Sequence, residues 1–449
     1  MGSESTAFLF STPEMTETFS LSRQLRAMMR FEWALTCALE KQGIAVKGSG
    51  IVLENLLDAN FIDRESLERD ALEAGNIAIP FVKQLTANVR RVNELGSRAV
   101  HLGATSQDVL DTALVLQMRE ALALVLGAID LLEIALTAQV KAHAERVMTG
   151  RTWLQPGPPT TFGLKLAGTL TALRRHRTRI KAAAERAVVL QFGGAVGTLA
   201  ALGSAGADVS KELARILELK EPELPWHTQR DTLVEVAAVL GLLVGSLGKF
   251  AKDIALLMQA EVGEASEPTH EGRGGSSTMP QKQNPLACAT ILASAARAPG
   301  LVATMLTAMP QEHERGLGLW QAEWETLPEI FKLTQSALAR SIEIAEGLEV
   351  DGSRMASNLD ALLGLPQSEA ISAALAPKIG RGLAHEVLRR ATLQSRETRQ
   401  HLSSVLKTVP EVTAHLTDAE IDLLLQPRAY LGSTQHFIRR VLGDTDPHR

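Results

Sequence analysis

The chain has 449 residues, a formal net charge of −5 and 4% aromatic residues, with a single tyrosine, Tyr430. So few aromatics, and no basic block, leave neither the stacking platforms nor the cationic stripe of a nucleic-acid-binding protein, and the core must be aliphatic. Cys37 and Cys288 lie far apart without metal-ligand spacing, so neither a disulfide framework nor a zinc site is expected.

The start, MGSESTAFLF, lacks a basic stretch followed by a long apolar core, so no signal peptide is expected. An N-terminal helical region runs to about 110. Beyond it, Leu114, Met118, Leu122, Val125, Ile129, Leu132, Leu136 and Val140 step by three or four among good helix formers. That spacing predicts a helix over 107–146, about 60 Å long at the standard rise. Prolines are absent from Phe81 to Gln155, from Thr160 to Glu221 and from Trp226 to Glu267, and each gap holds a long apolar-periodic segment. VAAVLGLLVGSLG at 236–248 is the longest apolar run. It falls short of the about 20 residues of a membrane span, so no membrane partner and a cytoplasmic location are expected.

Phe250, Ile254, Leu257, Met258 and Val262 continue the helical pattern, which resumes after Pro285. Strand signals are weak throughout. Shorter helices follow EVDGSRM, with breaks at GLPQ, PKIGRG and QPRAYLG. The fold class expected is all-α, in three helical regions: 1–110, a central long-helix bundle over 111–350, and 351–449. Helices apolar over more than one stripe need cover on several sides, which favours a bundle shared between subunits.

Five polar islands interrupt this pattern. HLGATSQDVLD, at 101–111, offers Thr105 and Ser106 as helix caps, or as hydroxyls at a helix N-terminus that binds a carboxylate. GRTWLQPGPPTTFG, at 150–163, reads as a proline-rich connector with a packed Trp153, or as a site presenting Gln155. LPWHTQRDT, at 224–232, places His227, Arg230 and Asp231 before a helix; Asp231 suits a cap and His227 a surface position. GRGGSSTMPQKQNP, at 272–285, combines permissive glycines with Ser276, Ser277, Lys282 and Asn284. It is longer than a plain helix connector and rich in anion-binding groups, yet it lacks the spacing of a GxxxxGK[ST] loop. PQEHERGLGLWQAEWETLPE, at 310–329, carries His313, Arg315, Glu323 and Glu325. It reads as a charged helix or as a source of site residues, and it contains no HExxH pattern.

Taken in this order, the islands resemble the fumarase/aspartase superfamily, which includes the argininosuccinate and adenylosuccinate lyases. GSSTMPQKQNP closely matches the superfamily signature, GATSQD its first conserved region and GRTWLQPGPPTTFG its second. The likeness extends to SEAISAALAPKIGRGLAHEVL and YLGSTQHFIRRVL, and so covers nearly the whole chain. Within the superfamily, TWLQ, WHTQRD and YLGS are similar to the branch that lactonizes carboxymuconate.

The resemblance implies an all-helical homotetramer with a twenty-helix core, each active site built from islands of three subunits. It also implies a small tricarboxylate substrate and no metal or organic cofactor. By the same likeness Ser276 is the proton-transfer residue, with Lys282 a second candidate and Ser277 the alternative in another loop register. Thr105, Ser106, Gln155, Asn284, Arg315 and Arg230 are the expected donors around the substrate, with Trp153 beside them and His101 and His313 as orienting or proton-carrying groups. In the amine- and fumarate-releasing members a histidine usually stands at the position of Trp153. The alternative is such a fumarate-releasing lyase; a non-catalytic structural protein on the same scaffold, or a helical adaptor, is a further one.

Overall fold

The computed structural model describes residues 4–268, 279 and 282–443, and its fold is all-α with two short antiparallel strand pairs. Ser276 and Ser277 lie outside the described residues. The chain divides into two compact units interleaved along the sequence. One comprises Met1–Ile129, His176–Gly245 and Ala293–Ala339; the other comprises Asp130–Arg175, Ser246–Leu292 and Arg340–Arg449. The long helices Ser106–Ala142, Phe162–Ala187, Asp231–Leu257, Leu286–Thr307 and Leu319–Glu346 each contribute residues to both.

The first unit is organised by helix Leu21–Lys41. Ser20 caps it, its hydroxyl accepting the Arg23 N–H at 3.2 Å, and Met28, Met29, Phe31, Leu35 and Leu39 are buried along one face. Helix Ser106–Ala142 has 37 residues, about 56 Å at 1.5 Å per residue. Met118, Leu122, Val125 and Ile129 are buried in the first unit and Leu132, Leu136 and Val140 in the second, as their spacing predicts, while Leu114 is half-buried. Each such leucine contributes roughly 1.5–3 kcal/mol on leaving water. The helix start differs from the expectation of a hydroxyl cap. Asp108 reaches back one turn and accepts the Thr105 N–H at 3.0 Å.

Three helices are long and apolar enough to cross a bilayer by length and composition: Ser106–Ala142, Asp231–Leu257 and Leu286–Thr307. This departs from the expectation based on the longest unbroken run. Polar residues are sparse enough that whole helices qualify where a single run does not. Their most apolar windows are 44%, 61% and 28% buried within one chain, so much apolar helix surface remains uncovered.

In the second unit the sequence reading is corrected: the second island is a β-hairpin. Val147–Thr152 pairs antiparallel with Gln155–Thr161, with a register shift between Thr149 and Gly150. A two-stranded ribbon consists only of edges, so Pro156, Pro158 and Pro159 are tolerated in a strand. Gly150 is required here, because a Cβ would lie 2.4 Å from the Pro158 carbonyl oxygen. The same unit holds a C-terminal core in which Ile371, Leu375, Val387, Leu402, Leu406, Val412 and Ile421 pack together.

Candidate active site

In the first unit the polar islands converge on the first turns of helix Ser106–Ala142. Asp108 is fully buried. Its carboxylate accepts the backbone N–H groups of Gly193 at 3.0 Å and Gly194 at 2.8 Å, and the Gln191 side-chain amide at 3.2 Å. The His227 Nε2 lies 2.7 Å from the same carboxylate. His227 is thus not a surface residue; it is 4% exposed. A buried carboxylate is tolerated only when its lone pairs are used, and these donors tie two segments, 191–194 and the one carrying His227, to one turn of helix. Gly193 and Gly194 permit the approach: a Cβ on the first would lie 2.9 Å from the His227 ring, and one on the second 2.9 Å from the Gly103 carbonyl oxygen.

One turn further on, Asp111 and Glu323 flank Arg230. The guanidinium donates to Asp111 at 2.7 and 3.1 Å and to Glu323 at 3.0, 3.1 and 2.5 Å. Trp320 Nε1 and Gln107 Nε2 each donate to Asp111 at 3.0 Å, and Gln311 donates to Glu323 at 2.9 Å. Arg230 is 1% exposed and stacks against Trp226 at 5.0 Å. Burial works against its charge, but the carboxylates of Asp111 and Glu323 outweigh that and hold it protonated above the usual arginine range. Arg230 is therefore a correction to the expected set of substrate donors: its guanidinium is spent on two protein carboxylates and carries the local structure. Glu323, expected on a charged surface helix, is one of those buried partners. Burial pushes its carboxyl upward, against the pull of Arg230.

Arg315 differs. It donates to Gln107 Oε1 at 3.0 Å and to the Ala195 carbonyl at 2.7 Å, both neutral acceptors, and it makes no ion pair among the described residues. Two hydrogen bonds fix the fork while its charge stays open to an anion. Thr105 and Ser106, directly before Gln107 at the helix start, are half-buried. His101 sits on the preceding turn, with Nδ1 2.6 Å from Glu32. His313 is exposed, and its carbonyl accepts the Thr228 hydroxyl at 2.8 Å.

In the second unit, Trp153 and Leu154 form the two-residue hairpin turn. Both have positive φ, 53° and 62°, and they are 97% and 75% exposed in the chain. Such turns favour Asn-Gly, and bulky residues in the left-handed region cost about 1–2 kcal/mol each. The exposed Gln155 follows directly. Below the tip, Arg151 forms a fork–fork pair with Glu264 at 2.8 and 2.7 Å, and Asn358 donates to the same carboxylate at 2.9 Å.

Lys282 and Asn284 line an open cleft of about 1180 Å³, together with Arg146, Met258, Gln259 and Asp351. Lys282 is exposed and makes no ion pair among the described residues. The helix that ends the signature loop is capped by Glu267, whose carboxylate accepts the N–H groups of Ala287 and Cys288 at 3.0 Å each. Sequence reasoning missed Glu264 and Glu267. Their only signal is a pair of glutamates spaced three apart before the signature loop.

The family model described as "Lyase" matches residues 9–300, and that described as "Adenylosuccinate lyase C-terminus" matches residues 364–441. The chain belongs to the fumarase/aspartase superfamily. It is 48% identical to the 3-carboxy-cis,cis-muconate cycloisomerase of Pseudomonas aeruginosa, over 98% of this chain and 95% of that one. It is 43% identical to the cycloisomerase of Acinetobacter baylyi, over 98% of both chains. The crystal structure of the 3-carboxy-cis,cis-muconate lactonizing enzyme from Pseudomonas putida superposes with a TM-score of 0.93 at 46% identity, over 98% of each chain. Family membership and fold thus agree with the motif reading of the sequence.

Proposed function

We propose that the chain is a 3-carboxy-cis,cis-muconate cycloisomerase, closing that tricarboxylate to 4-carboxymuconolactone in the protocatechuate branch of aromatic catabolism, in the cytoplasm. The observation that carries the reading over a fumarate-releasing lyase is the indole at the hairpin tip. Trp153 cannot act as an acid or base near neutral pH. An amine leaves poorly without a proton, whereas a carboxylate with a pKa of about 4 leaves or attacks as an anion. Lactonization needs no acid or base at that position.

One carboxylate oxygen adds to the diene in 1,4 fashion, and the electron pair moves onto the conjugated carboxylate as an enediolate. A proton delivered to the adjacent carbon completes the lactone. Stabilising the enediolate is the demanding step, and it calls for fixed donors and cations. Arg315, Lys282, Asn284, Gln155, Thr105 and Ser106 suit that task, with Trp153 as an apolar wall. Ser276 delivers the proton with its alkoxide supported by Lys282; Lys282 itself, or Ser277, is the substitute donor.

The active form is a homotetramer in which three subunits furnish each site. The uncovered apolar surface of the long helices supports this reading.

The test is loss of diene absorbance with purified protein and 3-carboxy-cis,cis-muconate, in chelator. Rapid loss is expected, falling about 10²-fold or more in Ser276→Ala. No loss, with fumarate released from a succinyl-amine substrate instead, overturns the reading.

A further inference from the structure

Glu32 lies in the middle of helix Leu21–Lys41 and is fully buried. Among the described residues its carboxylate has two hydrogen-bond contacts, both to His101: it accepts the backbone N–H at 2.9 Å and faces the ring Nδ1 at 2.6 Å. The two residues are 69 apart in sequence. His101 adopts a left-handed backbone conformation, φ +60°, which few non-glycine residues take. The Glu32 contact to its N–H holds that turn. The ring keeps 18% of its side-chain surface open, and its Nε2 has no partner among the described residues. A carboxylate bonded to one imidazole nitrogen fixes the tautomer and aims the other nitrogen outward.

We propose that Glu32 is a positioning residue for the reaction: it locks the His101 imidazole with Nδ1–H toward itself, and it keeps the ring charged so that Nε2–H is a cationic donor to a substrate carboxylate. This rests on the cycloisomerase reading above, which places the 101–106 turn at the substrate.

The charges around the ring favour the cation. Burial alone lowers the imidazole pKa. The Glu32 charge and hydrogen bond, with the Asp108 charge from the start of helix Ser106–Ala142, more than offset it, so His101 stays protonated above its ordinary range. Such a donor strengthens as charge moves onto the substrate in the enediolate, which is the differential stabilisation catalysis requires. Asp108 is already saturated by other donors, which leaves Glu32 as the group assigned to His101.

The experiment is the pH profile of kcat/KM from about pH 5.5 to 9.5 for the wild type, Glu32→Gln, Glu32→Asp, His101→Asn and the Glu32→Gln/His101→Asn double variant. The wild type is expected to show an alkaline limb belonging to His101. Glu32→Gln removes the charge that offsets burial and moves that limb toward acid, so the loss in kcat/KM grows as pH rises through the limb. Glu32→Asp keeps the charge and largely keeps the limb. His101→Asn abolishes the limb, and adding Glu32→Gln to it changes kcat/KM by less than about twofold.

A Glu32→Gln defect equal at all pH values, or undiminished in the His101→Asn background, overturns the proposal and makes Glu32 a packing residue. If Glu32→Gln does not fold, or the wild type lacks this activity, nitrogen-15 NMR titration of His101 in the wild type decides. A pKa above about 6.5 with the proton retained on Nδ1 is expected, and a value at or below it overturns the proposal. Absence of wild-type activity would refute the cycloisomerase reading, whereas an active wild type with an unshifted variant limb refutes only the role of Glu32.

Discussion

Replacing Arg230 with methionine keeps much of the side-chain volume and removes the cation that pairs with two buried carboxylates. Asp111 and Glu323 side chains are 2% and 1% exposed. Without Arg230 their partners among the described residues are neutral donors: Trp320 and Gln107 on Asp111, and Gln311 on Glu323. Breaking a buried pair from one side costs about 3–5 kcal/mol. The chain has one escape, which is to bind a proton.

Glu323 is the group that would take the proton, since burial already pushes its carboxyl upward with Arg230 in place. Protonating a carboxyl of ordinary pKa near 4.3 costs about 1.36 kcal/mol per pH unit, so about 3.7 kcal/mol at pH 7 and about 1 kcal/mol at pH 5. The folded variant then binds more protons than the unfolded chain between these limits, so its stability falls as pH rises. The expected result is a thermal midpoint far below wild type at pH 7 and close to it at pH 5, measured on samples of matched oligomeric state. Adding Glu323→Gln to Arg230→Met should recover most of the deficit at pH 7. An equal deficit at pH 5 and pH 7, or a double variant no better than the single one, would refute the reasoning.

The thiols and the hairpin anchor offer two further checks. Burial, with Glu40 and Glu54 nearby, pushes the Cys37 thiol up to about 11, and burial beside Glu267 pushes Cys288 higher still. At pH 8 the Cys37 thiolate fraction is therefore on the order of one in a thousand. A disulfide-exchange reagent should label both cysteines rapidly in denaturant and neither at a comparable rate in the native protein. Arg151→Met leaves Asn358 as the side-chain donor to Glu264 among the described residues and frees the base of the hairpin that carries Trp153 and Gln155. A loss of about tenfold or more in kcat/KM is expected, with a much smaller change in thermal midpoint. Unchanged kinetics would show that the Arg151–Glu264 pair does not place the hairpin tip.

What could be read before any coordinates was of two kinds. The long helices were legible because helix formation is local: Met118, Val125, Ile129, Leu132, Leu136 and Val140 recur at the helical period, and each is fully buried. The polar islands were legible because a helical chain has little other use for clustered glycine, serine and lysine. Their order also identified the superfamily.

The hairpin at 147–161 was not legible, because three prolines and a Trp–Leu turn contradict strand and turn preferences. Pairing with a neighbouring strand, and the freedom of a two-stranded edge, override them. Nor could the charges be sorted. Arg230 looked like Arg315 in the sequence, yet one is sealed between carboxylates and the other is held by neutral acceptors. His227 looked like a surface residue until Asp108, 119 residues away, was placed beside it. Periodicity and composition act over a turn or two of chain, so the sequence by itself determined helices, superfamily and the islands. Whether a given charge is buried, paired or presented depends on contacts across about a hundred residues or more, and only the tertiary structure decided that.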